Sequence, residues 1–323
     1  MTALLEANNL AVSYRLPGGL RSLFDPSRRR SLNILQDVSL KLEKSETMGL
    51  VGESGSGKTT LIRAMLGLTK ITGGTLRFEG KPLASAEDFG QMRRRAAMMF
   101  QDPIASLSPR MRIGDLLSEP AVIHGQAIGT RTEIAERLLD LVGLPRQFAR
   151  RFPHELSGGQ ARRVGVARAL ALDPALILAD EPTAGLDVSV QGDILNLLAR
   201  IQRERGVSAI IVTHNLAMVR HVSDRLAILY LGRLVETGPT QAVFKKPAHP
   251  YTKTLLDAEP KPDPTKRRSD LAIKGEIPSL LNRPSACEFH TRCPLAQSKC
   301  RTDVPEFQPI DSERMVRCHF PLI

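Results

Sequence analysis

Apolar residues along this chain change their spacing several times, and each change marks an element. Residues 4–14 alternate towards Leu10, Val12 and Tyr14, and residues 38–42 alternate again; both patterns predict strands with one covered face. Residues 47–51 are apolar enough for a fully buried strand, and a helix is predicted over about 58–68. Residues 104–175 are helix-rich, with Pro109, Pro120, Pro145, Pro153 and Pro174 as punctuation. The short apolar runs at 176–179 and 209–212 end in polar residues, as parallel strands buried on both faces do. Residues 15–33 contain Pro17-Gly18-Gly19, Pro26 and the run Arg28-Arg29-Arg30, and read as a loop insertion. Beyond Lys245 the prolines 247, 250, 260, 262 and 264 predict a linker, and all four cysteines follow residue 286. There is no internal repeat and no low-complexity tract.

Composition narrows the class. The 323 residues have room for one large domain and a smaller one, and at 42% hydrophobic the chain can build a core. No apolar run approaches the roughly 20 residues that span a bilayer. The N-terminus has no basic segment leading into an apolar core, so no secretory signal is expected. The expected location is the cytoplasm, with any membrane reached through partners. Net charge is +11, with clusters at Arg28-Arg29-Arg30, Arg93-Arg94-Arg95 and Lys266-Arg267-Arg268. Such a balance suits nucleic acid or anionic lipid. Aromatics are only 4%, without tryptophan, which leaves no platform for stacking bases. The clusters therefore read as solvated faces and loop tips, and no nucleic-acid partner is expected.

The candidate chemistry begins at Gly52-Glu53-Ser54-Gly55-Ser56-Gly57-Lys58-Thr59, followed by Thr60. Its glycines let backbone N–H groups converge on phosphate oxygens, Lys58 adds charge at the β- and γ-phosphates, and the Thr59 hydroxyl can ligate Mg2+. Strand before and helix after is the setting this motif needs. Asp180 ends an apolar strand and suits Mg2+; Glu181 follows it and can polarise an attacking water. Read alone, that pair is only an acidic start to a loop before Pro182. His214 ends the next strand, where an imidazole can bond the γ-phosphate and hold water in line with Glu181. Gln101, after the apolar run 96–100, can contact Mg2+ and the same water. Leu156-Ser157-Gly158-Gly159-Gln160 precedes a helix expected to begin near Ala161 and offers a second anion site at a helix start. With one phosphate cradle already complete, this second one suggests a different nucleotide.

This ordered set resembles the ATPase of the ATP-binding cassette (ABC) family. The resemblance implies an α/β fold of the P-loop NTPase type, with an antiparallel β subdomain, a helical subdomain near 102–165 and a small cysteine-rich C-terminal extension. It divides the chain into an ATPase domain, 1–245, and a linker with the extension, 246–323. It implies that Ser157, Gly158, Gly159 and Gln160 cap the γ-phosphate held by a facing subunit, and that Asp187 communicates across that dimer. Tyr14 is placed to stack on adenine, with a core or edge tyrosine as the alternative. Ala184-Gly185-Leu186-Asp187 departs from the commoner Ser-Ala-Leu-Asp at Gly185.

Three further stretches resemble the peptide-permease branch: Phe100-Gln101-Asp102-Pro103 continuing to Met111, Arg151-Phe152-Pro153-His154-Glu155-Leu156, and Leu186-Asp187-Val188-Ser189-Val190-Gln191. Residues 15–33 and His249-Pro250-Tyr251-Thr252 resemble the second, F-type ATPase of oligopeptide and dipeptide importers. The branch implies a motor at the cytoplasmic face of the inner membrane. Its partners would be a second, related ATPase, two membrane permeases and an external solute-binding protein. The alternative is a soluble ABC ATPase acting on nucleic acid or ribosomes.

Cys287, Cys293, Cys300 and Cys318 are separated by 5, 6 and 17 residues, which fits neither zinc-ribbon nor ferredoxin spacing. Cys287-Glu288-Phe289-His290-Thr291-Arg292-Cys293-Pro294 and Arg317-Cys318-His319 resemble the cysteine-rich element of peptide-importer ATPases. That resemblance implies a [4Fe–4S] cluster on the four thiolates; zinc, with His290 or His319 substituting, and no metal at all stay open beside it.

Overall fold

The computed structural model describes residues 3–16, 31–102, 105–126, 129–258 and 275–322. Most of the insertion at 15–33, the triplets 28–30 and 266–268, and prolines 260, 262 and 264 lie outside the described residues.

Two sheets carry the fold. The first is antiparallel, made of β1 (Leu5–Arg15), β2 (Ser31–Leu42), β4 (Gly73–Phe78) and β5 (Lys81–Pro82), in the order β2-β1-β4-β5. The alternation read in the sequence places Leu10, Val12, Val38 and Leu40 on its covered side. The second sheet has parallel strands at its centre: β3 (Thr47–Val51), β6 (Ala96–Met99), β7 (Leu176–Asp180), β8 (Ser208–Thr213) and β9 (Arg225–Tyr230), ordered β9-β3-β8-β7-β6. Every residue of β3 and β7 is buried, which is why neither alternates.

The two faces of the second sheet are covered differently. On one, the antiparallel sheet and α1 (Lys58–Met65) pack Leu5, Leu35, Leu61, Ile62 and Met65 against Leu50 and Leu178. On the other, α3 (Ile113–Ile123), α4 (Arg131–Leu141), α5 (Gly158–Ala169) and α6 (Val188–Arg205) share a core with Ile177 and Ile211. Each of these helices contributes an apolar stripe, such as Ile134, Ala135, Leu138 and Leu139 on α4.

Local signals move two expected boundaries. α1 stops at Met65 rather than near 68, because the chain turns at Gly67 with φ +68°. α5 begins at Gly158, before Ala161. Ser157 accepts the N–H of Gln160 while the Gln160 side chain accepts the N–H of Ser157, a reciprocal cap.

The C-terminal residues join the same sheet. β10 (Arg233–Pro239) pairs antiparallel with β9, and β12 (Met315–Val316) pairs with β10, carrying β11 (Gln308–Pro309) at its outer side. A third core gathers Val51, Tyr230, Tyr251, Cys287, Phe289 and Cys300 around α9 (Pro250–Asp257). Among the described residues no helix is long and apolar enough to cross a membrane.

Candidate functional site

The carboxyl ends of β3, β7 and β8 bring most of the predicted residues to one edge. The loop 52–57 leaves β3 and enters α1. Gly52 admits no side chain, since a Cβ there would lie 2.1 Å from the carbonyl oxygen of Leu229. The Ser56 carbonyl accepts the N–H of Gly232, which ties the loop to the turn between β9 and β10. Lys58 is only 7% exposed and folds back on the loop, donating to the carbonyls of Gly52 (2.7 Å) and Glu53 (2.9 Å). Burial lowers its pKa, with Glu181, Asp180 and Glu53 pulling the other way. The Ser56 hydroxyl is buried and has no hydrogen-bond partner among the described residues.

Asp180, the last residue of β7, accepts from the Thr59 hydroxyl at 3.2 Å, which joins the loop to the neighbouring strand. Burial raises its pKa, and the Thr59 bond opposes that rise. A dehydrated carboxylate beside a hydroxyl is a pair of hard oxygen donors, and it fits Mg2+. Glu181 follows with φ +45°. Its carboxylate lies between two partners, accepting from the Gln101 amide at 3.4 Å and meeting His214 Nδ1 at 3.2 Å. Two residues far apart in sequence, Gln101 and His214, therefore converge on one carboxylate.

Other predicted residues stand apart from this cluster. Tyr14 is 46% exposed near the end of β1, and among the described residues no hydrogen bond or ring contact ties it to the loop. Ser54, Gly55, Gly57 and Thr60 follow the backbone of the loop and α1. Ser157, Gly158, Gly159 and Gln160 form the start of α5. Asp187 precedes α6 without capping it. Gly185 has φ +72°, so the departure from alanine there answers a left-handed backbone.

Arg162, absent from the sequence reading, links the separate pieces. It is buried on α5 and donates to the carbonyls of Gln101 (2.7 Å) and Ala184 (2.8 Å). One side chain thus fixes the loop after β6, the loop before Asp187 and the helix that starts at Ser157. No sequence signal marks it beyond its place next to Gln160 and Ala161.

The cysteine expectation is corrected. Among the described residues no group of three or more His, Cys, Asp or Glu side chains is arranged to hold a metal ion. Neither the [4Fe–4S] cluster nor zinc on Cys287, Cys293, Cys300 and Cys318 is therefore supported. The thiols serve as small core side chains instead. Cys287 and Cys300 pack with Phe289 and Tyr251, and Cys318 packs with Ala248 and Val316. Burial pushes the Cys287 thiol up to about 12 and Cys318 up to about 11. His290 Nδ1 is engaged with the carbonyl of Cys287, and His319 Nε2 with that of Asp303.

The chain is similar to known proteins in both sequence and fold. Residues 35–184 match the ABC transporter family model, and residues 235–300 match the model of the oligopeptide/dipeptide transporter C-terminal region. The probable peptide ABC transporter ATP-binding protein y4tS of Sinorhizobium fredii is 44% identical over 98% of this chain and 90% of its own. The putative oligopeptide transport ATP-binding protein YkfD of Bacillus subtilis is 42% identical over 93% of both. The dimeric, post-hydrolysis state of the ATP-binding cassette MJ0796 bound to ADP and Pi superposes with a TM-score of 0.63. It is 27% identical and covers 73% of this chain and 98% of its own. The structure of cbiO1 from Clostridium perfringens gives 0.65 at 26% identity, over 76% and 92%. With the ATPase fold, the phosphate loop and the C-terminal region all matched, the chain belongs to the ABC transporter family, as an ATPase of the oligopeptide/dipeptide type.

Proposed function

We propose that this chain supplies the ATP hydrolysis that drives peptide import through a membrane ABC transporter. The names of the relatives, peptide and oligopeptide transport ATP-binding proteins, support the solute class. The observation that carries the mechanism is Glu181 lying between Gln101 and His214, next to the Thr59–Asp180 pair.

On this reading the N–H groups of Gly55, Gly57 and Lys58 receive the phosphates, and the Lys58 side chain leaves its two carbonyl partners to meet them. The unpaired Ser56 hydroxyl supplies a further donor. Thr59, Asp180 and Gln101 would hold Mg2+, which would supply charge neutralisation for the phosphates. Glu181 accepts hydrogen from the attacking water and aligns it, and His214 keeps Glu181 and the water in place. Tyr14 stacks on adenine. Ser157, Gly158, Gly159 and Gln160 meet the nucleotide of a facing ATPase, with Asp187 beside that junction. Residues 1–245 form the nucleotide-binding unit, with 102–165 as its helical part, and 246–323 form a supporting tail. The chain works at the cytoplasmic face of the inner membrane with a related ATPase, two permeases and an external binding protein.

Purification of the tagged chain from native membranes in mild detergent tests this. Two permeases and a second ATPase are expected in the eluate, with ATPase activity stimulated by peptide-loaded binding protein after reconstitution. Recovery with RNA or ribosomal proteins in place of permeases would overturn the reading.

A further inference from the structure

Glu53, the second residue of the phosphate loop, has all of its polar groups engaged, and two of the three reach into the C-terminal region. Its carboxylate receives both arms of Arg292, Nη1 to Oε2 at 2.7 Å and Nη2 to Oε1 at 2.9 Å. Its N–H donates to the hydroxyl of Tyr251 at 3.0 Å. Its carbonyl accepts from Lys58, the lysine that must serve the phosphates. The partners are themselves held. Arg292 is buried, donates to the Tyr230 hydroxyl at 3.3 Å and lies over that ring. Tyr230, Tyr251 and Phe289 pack ring against ring, with centroids 4.6 to 5.3 Å apart. A two-armed arginine–carboxylate contact fixes direction as well as charge, and this one has little water around it.

We infer that Arg292 and Tyr251 are positioning residues for nucleotide binding, which act through Glu53 on the phosphate loop and Lys58. The inference rests on the loop being the ATP site. Its physical content is a competition. A carboxylate within the loop is a rival to phosphate for Lys58 and repels the nucleotide. The Arg292 contact cancels that charge and turns it towards the tail, while Tyr251 holds the start of the loop. The C-terminal region, whose family match covers both residues, thereby sets the affinity of the phosphate loop from its outer side.

Binding of Mg2+·ADP to the full-length chain, measured by calorimetry beside melting temperature, tests the inference without turnover. Arg292→Gln is expected to weaken ADP binding by roughly 5- to 20-fold. Arg292→Lys, which keeps the charge but not the fork, should fall between it and the wild type. The diagnostic variant is the double change Arg292→Gln with Glu53→Gln. Removal of the freed carboxylate should restore most of the lost affinity, an outcome that mere loosening of the tail cannot give. Tyr251→Phe keeps the ring and removes the acceptor, so a loss of about twofold to fivefold with little change in melting is expected. It serves as the second line should Arg292→Gln fail to fold. Wild-type affinity in Arg292→Gln, or a double variant no better than that single one, overturns the inference; so does wild-type affinity in Tyr251→Phe if that variant must stand alone. Lys58→Ala separates the two levels. Undiminished ADP binding there overturns the nucleotide site itself, and with it this inference.

Discussion

Glu181 holds a left-handed backbone angle, φ +45°, which a residue with a side chain adopts at a cost of about 1–2 kcal/mol. Its N–H bond to the Val212 carbonyl and its place between Gln101 and His214 hold it there. Glu181→Gln preserves shape and removes the base. It is expected to bind ATP normally and to hydrolyse it at least about 100-fold more slowly in the reconstituted transporter. Near-normal turnover would remove Glu181 from the mechanism. The thiols give a second prediction. With Cys287 raised to about 12 and Cys318 to about 11, about one part in a thousand or less of either is thiolate at pH 8. Iodoacetamide should therefore label the native chain slowly, reaching the half-buried Cys293 first, and all four rapidly in denaturant. A fast burst at Cys287 or Cys318 in the native chain contradicts the burial argument. Lys58, Asp180, Glu181 and His214 were legible in the sequence because Lys58 opens a helix after a glycine loop, Asp180 ends an apolar strand, and Glu181 and His214 each directly follow one. Arg162 was not, because an arginine on a helix reads as solvated until the fold buries it against carbonyls.

Helix starts show what local chemistry decides. α2 (Ala86–Met92), α4 and α5 open with reciprocal caps from Ser85 and Asp88, Thr130 and Glu133, and Ser157 and Gln160. All three follow a serine or threonine with an acid or amide three residues later, so the Ser157 pattern could have set the start of α5. α9 opens differently. His249 Nδ1 accepts the Tyr251 N–H, which demands a neutral imidazole. Burial lowers its pKa from 6.5 to about 3, against a smaller opposing pull from a hydrogen bond to the Arg317 backbone. Between those two values the unfolded chain takes up the proton that the folded one refuses. The stability held by this cap is whole above pH 6.5 and drains as pH falls, by about 2 kcal/mol at pH 5. His249→Asn keeps an acceptor without a titration, so its melting temperature should vary less between pH 7 and 5 than that of the wild type. Equal slopes would assign the pH dependence elsewhere. The strands β3, β7 and β8 were legible from their apolar runs. β11 and β12 were not, since two residues carry no period and only their pairing defines them.

The whole molecule places the Ser157 helix start and the phosphate loop on separate elements, and among the described residues no hydrogen bond connects them. A facing-dimer arrangement follows if each serves a different nucleotide. Ser157→Arg should leave Mg2+·ADP binding by the isolated chain within about twofold, while turnover in the assembled transporter falls at least about tenfold. Equal loss of ADP binding in the isolated chain would favour a site closed within one subunit. The tail matters at this scale too, because its last strands belong to the ATPase sheet. Glu236 and Thr237 of β10 pair with Val316 and Met315, and the Arg317 N–H bonds the Val235 carbonyl. A chain cut after α9 would leave that side of β10 as a bare strand edge, open to any other chain with hydrogen bonds to offer. Light scattering of the shortened protein should show self-association that rises with concentration. These short strands thus act as a stopper, keeping the open side of the ATPase sheet from recruiting indiscriminate neighbours.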